Sequence, residues 1–262
     1  MSGPGDAAPD LIARPDLDAV LADERNREII YEYESEAKTR TLPGPWRRLT
    51  ASLSVATTLF ALYYAAAGAE IPGTGLVLVP NLRFGGQTIT TPQIYVMLFL
   101  SAILVLTFLL YPATARSLKS VTPSDLLFAG ASIAITAYVL VNFEEVVYRV
   151  STPKPQDVAF GGVALLLVME AARRTIGWHL PALAIVSIGY AYFADFMPGP
   201  FRGPPKDLDD IIAGQYLGLD GLLGTPLQVA ATFIILFTIY GAILDRTGAG
   251  KFYVDLAFAL TG

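Results

Sequence analysis

The chain contains no cysteine and a single histidine among its 262 residues. The missing thiols exclude a disulfide framework, a thiolate metal site and a cysteine nucleophile. One histidine cannot build a multi-histidine metal centre. Charge is also scarce, since only 16% of residues are Asp, Glu, Lys or Arg, the net charge is −5, and no run of Lys and Arg exceeds two. Such a chain has no means of neutralising a row of phosphates, so nucleic acid is excluded as a partner.

Apolar residues make up 53% of the chain and the mean hydropathy is +0.51, values that indicate a membrane protein. Of its 41 charged residues, 17 fall within residues 1–48, which we predict to be a charged cytoplasmic tail. Two alternatives remain open for residues 16–36. Their loosely helical apolar spacing allows a short amphipathic helix, and their many acids favour a solvated tail.

Long uncharged stretches predict an all-α integral membrane protein with about six transmembrane helices. The candidates are residues 49–67, 94–111, 126–143, 158–172, 176–194 and 227–244. With the N-terminus cytoplasmic, the inner segments carry nine Lys and Arg against five outside, which favours that orientation. The longer outer loops are then residues 68–93 and 195–226.

The end of the chain, residues 251–260, is apolar but too short to cross a bilayer. It predicts a short C-terminal interfacial helix or the start of a seventh span. Because the chain ends inside this apolar element, we expect the natural protein to continue.

Two ionisable residues within the spans are the first candidates for chemistry. Glu170 is a possible proton or ion ligand, but Arg173 and Arg174 follow at the spacing at which helical side chains meet, so a local ion pair is favoured. His179 is a possible proton shuttle, but its position beside Trp178 favours interfacial anchoring.

Four polar residues are weaker candidates. Glu144 and Glu145 form either a partner contact or a solvated helix end, and Gln228 and Thr232 share a helix face suited to bonding another helix. No nucleophile and base pair, phosphate loop or paired carboxylate supports an enzyme. From the residues alone, the chain is a scaffold, a channel or a transporter.

Several motifs resemble the membrane subunits of tripartite ATP-independent periplasmic (TRAP) transporters. The most specific are T-F-x-x-L-F at 232–237, G-A-x-L at 241–244 and G-A-G-x-F-x-x-D-L-A-x-A-L at 248–260, which resemble the start of the large subunit. Upstream motifs resemble fused permeases in which a small four-span subunit precedes the large one, as in systems with a TAXI-class binding protein. These motifs are N-F-E-E at 142–145, M-E-A-A-R-R at 169–174, G-W-H-L-P at 177–181 and, more weakly, Y-E-S-E-A-K-T-R at 33–40.

The resemblance implies a division of the chain into four parts. These are a tail (1–48), a four-span small-subunit-like region (49–174), a connecting helix with an extracytoplasmic loop (175–226), and the first scaffold helix and interfacial arm of an incomplete large subunit (227–262).

The implied function is the scaffold part of a secondary-active, sodium-coupled uptake permease for organic acids in the cell inner membrane. Its implied partners are an extracytoplasmic substrate-binding protein, the remainder of the large subunit and the lipid bilayer. Sodium is implied as coupling ion. The family's substrate and sodium sites lie in re-entrant hairpins beyond this chain, so no catalytic, cofactor, metal or substrate residue is assigned. The alternatives are a non-transporting membrane protein, such as an assembly partner or sensor, and an enzyme using Glu170 or His179.

Overall fold

The computed structural model describes residues 44–67, 91–113, 120–148, 152–218 and 221–261, with isolated positions between residues 40 and 88. The chain divides into two units, residues 1–38 and 39–262. The first unit lies outside the described residues, and with it the predicted tail helix at 16–36.

The second unit is almost entirely helical, as predicted. In chain order its helices are α1 (Gly44–Ala66), α2 (Pro92–Leu110), α3 (Pro123–Val141), α4 (Phe143–Tyr148), α5 (Pro155–Thr175), α6 (His179–Phe193), α7 (Leu208–Leu217), α8 (Thr225–Thr247) and α9 (Ala249–Thr261). A two-stranded antiparallel hairpin, β1 (Arg83–Phe84) and β2 (Gln87–Thr88), lies between α1 and α2.

Five of the described helices are long and apolar enough to cross a membrane, namely α1, α2, α3, α5 and α8. The fifth predicted span, 176–194, is a helix of 15 residues continued by a 3₁₀ turn over Ala194–Phe196. The helix is shorter than predicted because Gly177, with a φ of 100°, interrupts the helical backbone after α5. The next helix therefore begins only at His179.

Proline at the first turn sets where the central helices begin. It is tolerated there because the first N–H groups of a helix have no intrahelical acceptor. In α3 and α5 an aspartate two positions after the proline accepts a backbone N–H at the helix start: Asp125 from Thr122 and Asp157 from Lys154, both at 3.0 Å.

The core forms around α2, which packs against α1, α3 and α5. Half of its most apolar stretch is buried, against 6% for α8, so α2 is central and α8 peripheral. Helix α7 packs on the first half of α5, where the absence of a side chain at Gly161 lets Ile212 and Tyr216 approach the backbone.

Candidate functional site

A cluster of buried charges lies where the end of α2, the start of α3 and the end of α5 meet. At its centre is Asp125, whose side chain is wholly buried. Its Oδ2 accepts a hydrogen bond from Arg40 Nη2 at 2.9 Å, and its Oδ1 accepts one from Arg174 Nη1 at 2.7 Å. One carboxylate thus holds two guanidinium groups from distant parts of the chain.

The same two arginines also bind the C-terminal end of α2. Arg40 Nη1 donates to the carbonyl of Leu109, and Arg174 Nη1 donates to that of Tyr111, each at 3.2 Å. Carbonyl groups at a helix end lack intrahelical donors and carry partial negative charge, so cations are favourable there. The arginines therefore tie the end of α2 to the carboxylate at the start of α3.

Glu170 completes the cluster through the predicted ion pair. Its carboxylate accepts hydrogen bonds from Arg173 Nε at 2.7 Å and Arg174 Nε at 2.8 Å. The guanidinium of Arg174 also lies over the rings of Phe108 and Phe128, 5.1 and 5.4 Å from their centroids. The prediction of an ion pair at Glu170 is confirmed, but Arg174 reaches much further than the helix spacing indicated.

The arrangement suits a structural clamp better than a proton or ion pathway. Three arginines face two carboxylates, and each carboxylate is held by two guanidinium groups, so neither acid is available to take up a proton or a cation. The buried Arg40 Nε and Arg174 Nη2 make no hydrogen bond.

A second buried carboxylate, Asp157, occupies the matching position in α5. Tyr138 Oη donates to its Oδ1 at 2.6 Å, and the ring of Tyr138 stacks on Phe160 with centroids 4.2 Å apart. Sequence reasoning missed both aspartates. The signal that could have found them is a repeated P-x-D-x-x-F-x-G pattern at 123–130 and 155–162.

Tyr216 on α7 lies close to this carboxylate. Its side chain is buried, and its hydroxyl has no hydrogen-bond partner. Burial, with a smaller contribution from the neighbouring Tyr138 and Asp157, raises the pKa of Tyr216 well above its usual range. The phenol is therefore held in its neutral form.

A third buried polar contact joins α2 to α8. Helix α8 widens into a π turn over Ala230–Ile234, and Ala231 lies within this turn. Tyr95 Oη donates to the carbonyl of Ala231. Tyr64 of α1 stacks on Tyr95 with ring centroids 3.6 Å apart, so three helices meet at this hydroxyl.

The remaining candidates are separate from these contacts. Glu144 accepts from Gln87 Nε2 at 3.0 Å and Glu145 pairs with Lys154 at 3.4 Å, both on the surface. His179 is exposed at the start of α6.

Gln228 and Thr232 differ from the prediction that they bond another helix. Gln228 Nε2 donates to the carbonyl of Leu223, and Thr232 Oγ1 donates to that of Gln228. Both side chains therefore bond backbone carbonyls at the start of their own helix or just before it.

Within the part of the chain that the structure describes, no three His, Cys, Asp or Glu residues come together as a possible metal site. The protein is an all-α, multi-pass integral membrane protein whose buried polar contacts bind helix to helix.

Residues 163–262 match the family model described as tripartite ATP-independent periplasmic transporter, DctM component. This is a transporter family and not an enzyme family, and the match covers less than half of the chain. It begins inside α5, upstream of the implied boundary at residue 227. No curated protein and no solved structure matches the chain.

Proposed function

We propose that this chain is the scaffold part of a sodium-coupled, binding-protein-dependent TRAP permease for organic acids, in the fused form that serves TAXI-class binding proteins. The match over residues 163–262 supports the transporter class. The motifs upstream of residue 163 support the fused form.

The observation that carries the scaffold role is the set of buried polar bonds that cross residue 163. Arg174, inside the matched region, binds Asp125 outside it, and Ala231, inside, accepts from Tyr95 outside. Bonds to buried charged groups contribute more than exposed ones, and breaking them leaves desolvated partners. The upstream helices and the matched helices should therefore move as one body.

In this proposal the described helices provide a fixed frame in the bilayer. The small-subunit-like helices enlarge its apolar contact with lipid, and a moving substrate domain outside this chain shifts against it. Sodium and the organic acid bind in that domain.

We place a docking surface for the binding protein at the first turn of α7. Asp207, Asp209 and Asp210 are exposed around the first turn of α7. Charge reversal at all three should weaken docking, because complementary charge mainly sets association rate and orientation. Undiminished uptake by this variant would count against the assignment.

The transport proposal is tested with the complete gene product that contains this chain, reconstituted in proteoliposomes. A purified TAXI-class binding protein, an inward sodium gradient and a panel of labelled organic acids are supplied. Uptake that needs both the binding protein and sodium is expected. If no solute moves while the binding protein is loaded and the membrane protein is folded, the alternative of a non-transporting assembly partner or sensor is favoured.

A further inference from the structure

A groove of about 540 Å³ separates α1 from the second half of α8. Its wall comes almost entirely from one face of α8, with a single residue of α1 opposite. The lining residues are Thr58, Ile235, Thr238, Ile239, Ala242, Ile243, Arg246 and Thr247. The volume falls within the range of about 300–1,000 Å³ typical of small-molecule pockets.

The groove runs along the membrane-crossing direction of α8. From Ile235 to Arg246 a helix rises about 16 Å at 1.5 Å per residue. That is close to half of the roughly 30 Å hydrocarbon core of a bilayer. The groove therefore has the depth of one leaflet.

The two ends of the groove differ in chemistry. Its inner wall is lined by Ile235, Ile239 and Ile243, which offer an elongated ligand only apolar contact. At the other end lies Arg246, an exposed residue, and among the described residues no carboxylate lines the groove. An apolar channel of leaflet depth with a cation at its mouth is complementary to a phosphate on an acyl chain.

The dimensions favour a lipid over a protein segment. A transmembrane helix has an overall diameter of about 10 Å and needs about 20 residues to cross. A groove of leaflet depth is shorter than such a span and matches the length of one acyl chain.

We propose that this groove binds one phospholipid, with an acyl chain along the isoleucines and the phosphate at Arg246. The lipid belongs to the leaflet on the Arg246 side, which is the cytoplasmic leaflet in the orientation given by the charge distribution. It fills the open groove beside the contact between α1 and α8. The inference requires only that the protein lies in a bilayer and does not depend on transport.

The test uses the full chain incorporated in phosphatidylglycerol vesicles, extracted in mild detergent, with bound lipid counted by native mass spectrometry. Arg246→Gln removes the charge at the mouth, and Ala242→Trp fills the channel. Matched controls are Arg48→Gln, an exposed arginine outside the groove, and Gly241→Trp, whose position is open and lies outside the lining. Arg246→Gln should lower retention of the lipid about tenfold, the size of a lost charge-assisted bond.

Ala242→Trp should also lose the lipid, while both controls retain it as the wild type does. A photoreactive residue at position 239 should crosslink to lipid. Equal retention in Arg246→Gln and Arg48→Gln would show nonspecific lipid and overturn the proposal. Crosslinking of position 239 to a peptide would overturn it as well, since a protein segment would then fill the groove.

Discussion

Arg174 Nη1 lies 2.7 Å from Asp125 Oδ1, although 49 residues separate the two in the chain. Both side chains are at most 1% exposed. The pair joins the C-terminal end of one apolar helix to the N-terminal end of another. Removing Asp125 would take away the buried carboxylate that Arg40 and Arg174 share, so the cluster is costly to break.

Replacing Asp125 with Asn should destabilise the protein by about 3–5 kcal/mol, because Arg40 and Arg174 would both lose their shared carboxylate in a dry environment. The free energy of unfolding is measured in mild detergent, with the helical signal in circular dichroism as the probe of folding.

The control is Glu145→Gln, which breaks the Lys154 pair whose side chains are 65% and 57% exposed. An exposed pair contributes about 0–1 kcal/mol, so this variant should unfold nearly as the wild type does. Equal losses in the two variants would show that the buried cluster has no special role.

The helical architecture could be predicted from the sequence because its signals are local. Long uncharged stretches located the spans, and the separation of Glu170 from its arginines by three and four positions predicted their pairing. The Arg174–Asp125 bond could not be found that way, since helix packing alone brings the two together. Asp125 lies just before the span predicted from residue 126.

The polar residues Gln228 and Thr232 show a second limit of prediction from the sequence. Their shared helix face predicted bonds to another helix, but neighbouring acceptors in their own chain were closer. The π turn that contains Ala231 has no marker in residue spacing. The approach of Tyr95 to that carbonyl therefore depends on tertiary structure.

Gly161→Ala should destabilise the protein by about 1–3 kcal/mol, the usual cost of overpacking. A Cβ there would lie 3.0 Å from Ile212 Cγ2 and 3.1 Å from Tyr216 Cβ, so α7 would have to move away from α5. The neighbouring Gly162→Ala is the control, because its Cβ would meet only Ile212 Cδ1 at 4.0 Å.

Gly162→Ala should be neutral or stabilising by up to about 1 kcal/mol, since alanine favours helix over glycine. Thermal unfolding of the two variants side by side measures the difference. If Gly161→Ala is as stable as Gly162→Ala, the close packing of α7 on α5 is contradicted.

Tyr95→Phe should cost about 1–3 kcal/mol by leaving the Ala231 carbonyl without a donor in an apolar setting. Tyr64→Phe is the control, because it preserves the stacked ring at this junction. Hydrogen exchange of the amides near the π turn should accelerate in Tyr95→Phe alone. Unchanged exchange there would mean that the hydroxyl does not hold the turn.

Tyr216→Phe tests a buried hydroxyl without a partner. At neutral pH the variant should be as stable as the wild type or more stable, because it removes a desolvated hydroxyl that makes no hydrogen bond.

The pKa of Tyr216 is raised in the folded state above the value of about 10 for an unperturbed tyrosine. Above that pH the unfolded chain releases a proton that the folded chain retains, so stability falls as the pH rises. The advantage of Tyr216→Phe should therefore widen above about pH 10 in urea titrations, and Tyr240→Phe, with an exposed ring, is the control. Parallel pH profiles for the wild type and Tyr216→Phe would contradict the buried, neutral phenol.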